Sequence, residues 1–273
     1  MAKVLVKASK FSPDFIVIMA DPKVGKTSIA LQLQDSLLVD MQSGALSYDG
    51  YKVQATTMAE IKAICKQNRE TGDYKVVVFD TLKELLDACM PGAVEKYRKT
   101  VAGSKFNGGV EDLLQVPYGA GTTFLEKEFM ELLEDELRPS FEKIILLGHT
   151  KSSSSIEDNV ELNVKSIDTV GKIRNVVTRL SDAIASMSRK GNKAYLNFSN
   201  DEGVQAGSRY DHLTNKKILI SEKSGRDIQT HWDMVFPELY GKTVEEIMTV
   251  KNEPSEPAEA SAKATKPTKS LSI

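Results

Sequence analysis

Cysteine, histidine and long apolar runs are all scarce in this sequence. Its 273 residues include two cysteines, Cys65 and Cys89, and three histidines, with no CxxC pair. Zinc sites and disulfide frameworks need clusters of such residues, so this scarcity argues against both and predicts two buried free thiols. No apolar run approaches the ~20 residues of a membrane span. The sequence therefore predicts a cytoplasmic protein with no membrane partner.

An excess of charge of either sign is also missing. Lys and Arg total 36 against 38 Asp and Glu, which gives a formal charge of −2. No overall positive field attracts nucleic acid, so any contact with a polyanion is expected to be local. Large apolar residues are nearly absent from residue 251 onward, where Pro, Ala, Ser, Glu and Lys dominate. This composition predicts one domain over 1–250 and a disordered tail over 251–273.

Short apolar runs alternate with helical patterns from residue 15 to about 150. Uninterrupted runs of this length are typical of parallel strands that are buried on both faces, and their alternation with helices predicts an α/β fold. The predicted strands are Phe15–Met19, Leu37–Val39, Val76–Phe79 and Ile144–Leu147. The apolar faces of two predicted helices consist of Ile61, Ile64 and Cys65, and of Leu125, Phe129, Leu132 and Leu133.

The acidic residues of the second helix are expected to face solvent. Further along, Val170–Ala185 has a helical pattern. Lys190, Gly191 and Asn192 then have the composition of a hairpin turn, which predicts an antiparallel extension after the parallel sheet.

The stretch FIVIMADPKVGKTS, residues 15–28, places a tight loop between a strand and a helix that begins near Gly25. This context is typical of a phosphate-binding loop, in which amides and a helix N-terminus hold the anion. Lys26 is expected to reach the β- and γ-phosphates and the Thr27 hydroxyl to ligate Mg²⁺. The alternative is a chance GKT at a helix start. The predicted nucleotide-binding residues are Asp21, Pro22, Lys23, Val24, Gly25, Lys26, Thr27 and Ser28.

One position departs from the usual G-x-x-x-x-G-K-[ST] pattern, because Ala20 occupies the place of the first glycine. If that position needs positive φ, alanine costs about 1 kcal/mol of strain. If it has ordinary β geometry, alanine costs nothing.

A second element, KVVVFDT, ends a predicted strand with Asp80. Ligands of open α/β sheets bind at the carboxyl ends of strands, so Asp80 is expected to hold Mg²⁺ together with Thr27. The alternative is that Asp80 only caps the helix that follows.

The residues that would drive hydrolysis are less obvious. Thr81, not Glu, follows Asp80, and Gln42 follows the second predicted strand. A glutamine orients water without taking its proton, so turnover is expected to be slow or to need help in trans. His149 is predicted either to sense the γ-phosphate or to hydrogen-bond the end of the sheet. Arg209 is a candidate for stabilising phosphoryl charge, in cis or in trans, or is an ordinary surface arginine.

Over roughly residues 15–220 the sequence resembles the phage-encoded RecA-like P-loop ATPases. The resemblance rests on the order and spacing of seven segments, ADPKVGKTS, LLVDMQSGAL, VVVFDT, VPYGAGTTFLEKEFMELL, IILLGHTK, SDAIASMSRKG and AGSR. The resemblance implies a three-layer α/β/α RecA-like fold, ATP with Mg²⁺, single-stranded DNA as partner and a homo-oligomer. It further implies a role in recombination, annealing or replication, phage or host proteins of those processes as partners, and the host cytoplasm as location. RecA-like enzymes commonly have Glu at the position of Gln42.

DNA contacts would have to come from loops. Residues 96–121 combine Lys96, Arg98, Lys99 and Lys105 with Tyr97, Phe106 and Tyr118. Basic groups track phosphates and rings stack on unpaired bases, so this segment is the first candidate. The polar stretch KSSSSIEDNVELNVKS after His149 is the second, read as a mobile loop. The alternative for both is a solvated connection.

Three functions therefore remain open from the sequence. The first is a DNA-dependent ATPase. The second is a nucleotide-gated DNA-binding switch with negligible hydrolysis, which Gln42 favours. The third is a small-molecule kinase on the same fold, which the absence of an Arg-rich lid disfavours.

Overall fold

One open sheet organises the chain. The computed structural model describes residues 11–42, 49–157, 160–169, 171–200, 204–225 and 227–249. The strands are β1 (Phe15–Ala20), β2 (Ser36–Asp40), β3 (Lys52–Gln54), β4 (Val76–Asp80), β5 (Lys143–Glu157), β6 (Val160–Ile167), β7 (Ala183–Lys190), β8 (Lys193–Asn197), β9 (Gly207–Ser208), β10 (Lys217–Ser224) and β11 (Asp227–Thr230). Their order is β11-β10-β8-β7-β1-β5-β4-β2-β3, with β6 paired to β5 and β9 to β7.

Helices connect these strands. They are α1 (Lys26–Ala30), α2 (Met58–Thr71), α3 (Leu82–Arg98), α4 (Val110–Leu113), α5 (Ala120–Glu131), α6 (Arg138–Ser140), α7 (Gly171–Leu180) and α8 (Val244–Met248). A π-helical segment, Leu132–Leu137, continues α5, and 3-10 turns lie at Pro117–Gly119, Trp232–Met234 and Pro237–Tyr240. The strands from β7 through β1, β5, β4 and β2 to β3 run parallel, whereas β8, β10 and β11 form an antiparallel extension.

Strand β1 shows how both faces of the sheet are buried. Phe15, Val17 and Met19 pack into the core on one face, while Ile16 and Ile18 pack into the core on the other. Every residue of this strand is buried. A six-residue apolar run without polar interruption is thus a central strand covered on both sides, as the sequence predicts.

The two covering layers are built from different elements. Apolar residues of α2, α3, α5 and α7 cover the first face. The second face is covered by α1, by the antiparallel strands and by the C-terminal segment that contains two 3-10 turns. This segment contributes Trp232, Val235, Phe236 and Leu239. This arrangement confirms the predicted α/β architecture with helices on a mostly parallel sheet and a C-terminal hairpin extension.

Most predicted elements are confirmed, but the helix over Val170–Ala185 and the loop after His149 are wrong in part. The predicted strands lie within β1, β2, β4 and β5, and the turn after Lys190 joins β7 to β8. The predicted helix over Val170–Ala185 ends at Leu180, because Ala183–Ala185 enter β7 and pair with β1. Asp182 closes this junction, since its carboxylate accepts hydrogen bonds from the amides of Asp14 and Phe15.

The polar stretch after His149 is not an irregular loop. Strand β5 continues to Glu157 and pairs antiparallel with β6 from Thr150↔Ile167 to Glu157↔Val160. We call this hairpin, Thr150–Glu157 with Val160–Ile167, the β5–β6 arm. Alternating apolar and polar residues are the usual sequence signal of a half-buried strand. The serine-rich strand of the arm lacks this alternation, so the sequence did not predict it.

The acidic helix is also less exposed than predicted at one position. The apolar residues of its predicted face, Leu125, Phe129, Leu132 and Leu133, are buried. Glu128 is buried as well, and its carboxylate lies 2.5 Å from the Lys96 ammonium. Cys65 and Cys89 are buried free thiols, as expected. None of the helices in the described part of the chain is long and apolar enough to span a membrane. The predicted tail, 251–273, lies outside the described residues.

Candidate functional site

The loop between β1 and α1, residues 21–25, lies at the carboxyl end of the central strand. Ala20 is the last residue of β1 and is absent from the residues with positive φ, so alanine at this position costs no backbone strain. The positive φ values fall instead on Lys23, at 66°, and on Gly25, at 102°. Glycine is required at position 25 by this positive φ, and the end of the Arg189 side chain lies close enough that a Cβ there would be 2.9 Å from one of its nitrogens.

Lys26 is folded into this loop. Its ammonium donates to the Ala20 carbonyl at 3.0 Å and lies 3.4 Å from the Asp21 carbonyl, and the residue is only 8% exposed. Burial lowers the pKa of Lys26, while the carboxylates of Asp80 and Asp21 oppose that effect. A buried cation that is held mainly by carbonyl oxygens would gain a much stronger partner from a phosphate.

Thr27 and Asp80 meet as the sequence predicts. The Thr27 hydroxyl donates to the Asp80 carboxylate at 2.5 Å. Burial raises the pKa of Asp80, although the hydrogen bond from Thr27 and the charge of Lys26 favour its ionised form. A hydroxyl and a carboxylate in contact, beside a buried lysine, are the protein groups that hold Mg²⁺ with a triphosphate.

A second carboxylate lies on the next strand. Asp40, at the end of β2, is in register with Asp80, and the Met41 amide donates to the Asp80 carbonyl at 3.0 Å. The Asp40 carboxylate accepts a hydrogen bond from the Gln42 amide at 3.0 Å. No group of three or more His, Cys, Asp or Glu side chains suited to a metal occurs among the described residues. Magnesium would therefore be held by Thr27 and Asp80 together with phosphate oxygens and water.

His149 lies beside Lys26, part-way along β5. It is paired with Ala20 in the register of β5 and β1, and its Nδ1 is 3.4 Å from the Lys26 ammonium. This position is compatible with the predicted sensing of a γ-phosphate. It also places His149 at the base of the β5–β6 arm.

Arg209 does not join these residues. It follows β9, which pairs antiparallel with the start of β7, and its guanidinium contacts the Asp182 carboxylate at 3.3 Å and the Arg179 carbonyl at 2.7 Å. The six residues of β1 separate that end of the sheet from Lys26, a distance of about 17 Å. The predicted role in cis is therefore wrong, because Arg209 lies at the amino end of the parallel strands. Action in trans stays a prediction.

A different arginine contacts the phosphate loop. Arg189, near the end of β7, donates from Nε to the Val24 carbonyl at 2.9 Å, and its guanidinium lies against Gly25. Sequence reasoning missed this residue. The available signal was its place just before the hairpin turn, but it became meaningful only once β7 was known to pair with β1.

Gln42 contacts a carboxylate that the sequence analysis also missed. Its side-chain amide donates to the Glu84 carboxylate at 2.5 Å. Glu84 lies in the first turn of α3, the helix that begins directly after Asp80 and Thr81. The Thr81 hydroxyl donates to the second oxygen of Glu84. Burial raises the pKa of Glu84, but the hydrogen bonds from Thr81 and Gln42 outweigh this, so that its pKa lies below the usual value.

Asp21 connects the phosphate loop to the β5–β6 arm. Its carboxylate accepts a hydrogen bond from the Thr150 hydroxyl and another from Lys165 at 3.3 Å. The bond from Thr150 is the main reason why the pKa of Asp21 is lowered. Asp21 was predicted only as part of the loop that holds phosphate.

The segment 96–121 retains only part of its predicted DNA-binding surface. Tyr97 is buried against Phe106, and Arg98 donates to the carbonyls of Phe106 and Gly108. Lys96 is paired with Glu128 and Glu131. The residues of this set that remain exposed are Arg98, Lys99, Lys105 and Tyr118, and of these Arg98 is engaged by the two carbonyls.

Comparison with known proteins agrees with this geometry. A family model described as an AAA domain matches residues 13–210, which span β1 to β9 and contain every residue of the site. The chain belongs to this AAA domain family. Its mostly parallel sheet, with the phosphate loop after β1, is that of a P-loop nucleotide-binding domain. No curated protein matches the chain.

Among solved structures, this AAA domain protein is similar to a KaiC-like protein from the hyperthermophilic archaeon Pyrococcus horikoshii OT3. The two are 10% identical, with a TM-score of 0.40, and the similarity covers 80% of this chain and 89% of the other. At that TM-score the likeness carries no argument about function.

Proposed function

We propose that this AAA domain protein binds and hydrolyses ATP with Mg²⁺ and couples that cycle to single-stranded DNA during phage recombination, annealing or replication. The observation that carries the ATPase part is the meeting of Lys26, Thr27 and Asp80 at the carboxyl end of the sheet. Lys26 would neutralise the β- and γ-phosphates, and Gly25 lets the backbone approach them.

The residues around that centre have separate tasks in the proposed reaction. When bound with ATP, magnesium would offset the negative charge that develops on the β-phosphate of the leaving ADP. Arg189 adds positive charge beside the phosphate loop, and Gln42 positions the attacking water. His149, in contact with Lys26, responds to whether a γ-phosphate is present.

DNA as the partner is supported by fewer observations. Tyr118 is fully exposed and is the ring of segment 96–121 that is free to stack on a base. Lys99 and Lys105 are exposed on the same segment. The β5–β6 arm is joined to the nucleotide edge through Asp21 and His149, so a change at the γ-phosphate reaches it directly.

The same connection favours a second function, a nucleotide-gated DNA-binding switch with negligible turnover. In the switch, ATP alters the contacts of Asp21 with Thr150 and Lys165, and the arm changes its affinity for DNA without phosphate release. A neutral Gln42, which takes no proton from water, is consistent with slow chemistry.

Phosphate release and DNA binding, measured on the same preparations, separate these functions. Wild type, Lys26→Ala and the exposed control Lys66→Ala are compared with and without single-stranded DNA. DNA-stimulated release that is lost only in Lys26→Ala supports the ATPase. ATP-dependent DNA binding without release supports the switch. Failure of wild type to bind ATP at millimolar Mg·ATP contradicts both.

The DNA surface has a test of its own. Tyr118→Ala is expected to weaken DNA binding by roughly 1–3 kcal/mol, the value of one stacked base. Tyr51→Ala is the matched control, because Tyr51 is also exposed but lies beside β3. Equal affinities for the two variants would exclude segment 96–121 as the stacking surface.

A further inference from the structure

Gln42 and Glu84 form a directional pair beside the nucleotide edge. The Gln42 side chain is exposed, and its Nε2 lies 2.5 Å from Glu84 Oε1. The backbone of Gln42 is fixed independently, since its amide donates to Asp40 at 3.0 Å. Asp40 is in register with Asp80, so the base of the Gln42 side chain is held next to the predicted metal position.

The chemistry of the two groups determines which end of the Gln42 amide is free. An ionised carboxylate only accepts hydrogen bonds, so the end of the amide that faces Glu84 must be the NH₂ group. The carbonyl oxygen of Gln42 is then available as an acceptor. Without Glu84, an exposed glutamine would present either end, and half of the orientations would offer water a donor.

Glu84 is itself held in place. Its second carboxylate oxygen accepts from the Thr81 hydroxyl, and Thr81 directly follows Asp80. Both oxygens are thus engaged by donors from two neighbouring strand ends, β2 and β4. The orientation of Gln42 is therefore linked to the same strand end that carries Asp80.

We infer that Glu84 is a positioning residue for hydrolysis, which fixes the Gln42 amide so that its carbonyl oxygen accepts a hydrogen bond from the attacking water. This inference rests on the proposed ATPase function. The water oxygen bonds to the γ-phosphorus, and the bond from that phosphorus to the bridging oxygen breaks as ADP leaves. The proton from water ends on the released phosphate, while Gln42 and Glu84 gain none.

A simpler role for Glu84 predicts different results. Glu84 lies in the first turn of α3, where a carboxylate stabilises a helix. If that were its whole contribution, removal would lower stability and leave the rate at saturating ATP unchanged. Positioning instead predicts a loss of kcat with little change in nucleotide affinity, because the water is organised only for the reaction.

A double-mutant cycle tests the pair. We expect Gln42→Ala and Glu84→Ala each to lower kcat about tenfold, with the Kd for ATP within about twofold of wild type. The double variant should be no slower than either single variant, because the two residues act as a unit. Asp87→Ala, which removes an exposed carboxylate one turn further along α3, is the control and should leave kcat unchanged.

An exchange of the two side chains gives the sharper readout. In Gln42→Glu/Glu84→Gln the hydrogen bond re-forms with reversed donor and acceptor, and residue 42 again presents an acceptor oxygen. We expect kcat to return to at least half of the wild-type value, with a new loss of rate at acid pH as Glu at position 42 is protonated. Gln42→Glu alone is the control, because two facing carboxylates cannot form this hydrogen bond and kcat should then stay below that of the exchanged pair. A purely structural role for Glu84 predicts equal kcat for Gln42→Glu and for the exchanged pair.

The possible failures are distinguishable. Turnover in wild type that Glu84→Ala leaves unchanged overturns this inference alone. Independent effects, in which the double variant loses the product of the two single losses, overturn it as well. Absence of turnover in wild type overturns the ATPase proposal, and this inference with it.

Discussion

The Thr27 hydroxyl lies 2.5 Å from the Asp80 carboxylate, although the two residues are 53 positions apart in the chain. Strand β5 lies between β1 and β4, so the loop after β1 and the end of β4 meet only when all three strands are aligned. The contact therefore depends on the sheet order and indicates where a divalent ion would be bound.

Replacing Asp80 tests that position. In Asp80→Asn we expect the gain in ATP affinity on adding Mg²⁺ to fall about tenfold, because a neutral amide holds the cation less well. Asparagine still accepts the hydrogen bond from Thr27, so the fold should be kept. Calorimetric titration of ATP at several Mg²⁺ concentrations measures the effect, with Asp87→Asn as the control. Unchanged magnesium dependence would place the ion elsewhere.

Arg189 is predicted to contribute to nucleotide affinity in cis. Arg189→Ala removes both the bond to the Val24 carbonyl and the positive charge beside Gly25, so we expect ATP affinity to fall about 5- to 20-fold. Arg189→Lys should recover only part of it, because a lysine lacks the planar fork of donors. Lys223→Ala, an exposed charge on β10 of the same sheet, is the control in fluorescence titrations. Equal Kd values for wild type and Arg189→Ala would refute the assignment.

Trp232 is predicted to stabilise the phosphate-loop helix. Helix α1 has five residues, and the Trp232 indole donates to the carbonyl of Ile29 within it at 3.0 Å. We expect Trp232→Phe to lower the free energy of unfolding by about 1 kcal/mol through the lost hydrogen bond. Trp232→Ala should cost about 3–5 kcal/mol, because it also leaves a cavity. Urea unfolding measures both, and Tyr51→Ala, at an exposed ring, should change little.

Stability is predicted to fall in acid through His212. This residue is buried and shares a hydrogen bond with the Val235 carbonyl at 3.3 Å. Burial lowers the pKa of His212 below its usual 6.5, so the folded state binds the proton less well than the unfolded state. The contribution of neutral His212 to the free energy of unfolding is complete above the unfolded-state pKa of ~6.5. As pH falls below that value the contribution is lost, by up to ~1.4 kcal/mol per pH unit.

Unfolding free energies measured between pH 7 and pH 5 check this effect. His212→Gln should be less stable than wild type at pH 7 but should show a shallower loss toward pH 5. Parallel profiles for the two proteins would mean that other groups, such as Glu238 nearby, cause the acid sensitivity.

The sequence predicted those parts of the site that depend on the carboxyl ends of parallel strands. Lys26, Asp80 and His149 each follow or extend an apolar run, and such runs end at one edge of a parallel sheet. Arg209 failed because β9 is antiparallel to β7, which places it at the opposite edge. Arg189 was missed because it depends on the pairing of β7 with β1, and no local pattern indicates that pairing.

Side-chain partners were the other limit of the sequence analysis. The sequence analysis offered Lys96 and Arg98 as phosphate contacts. Lys96 instead forms ion pairs with Glu128 and Glu131, and Arg98 donates hydrogen bonds to carbonyls of the same segment. The sequence analysis did not identify Glu84. The packing of α3 against α5, and of the first turn of α3 against the end of β2, decides which charged groups meet. Neither contact leaves a periodic pattern in the sequence.

The bond between Trp232 and Ile29 also bears on synthesis at the ribosome. The two residues are 203 positions apart, so the phosphate loop leaves the exit tunnel long before the indole that supports its helix. At elongation rates of about 5–20 residues per second, this interval lasts roughly 10–40 seconds. During that time the nascent chain would have an incomplete nucleotide pocket, and ATP could not promote its folding until translation was nearly finished.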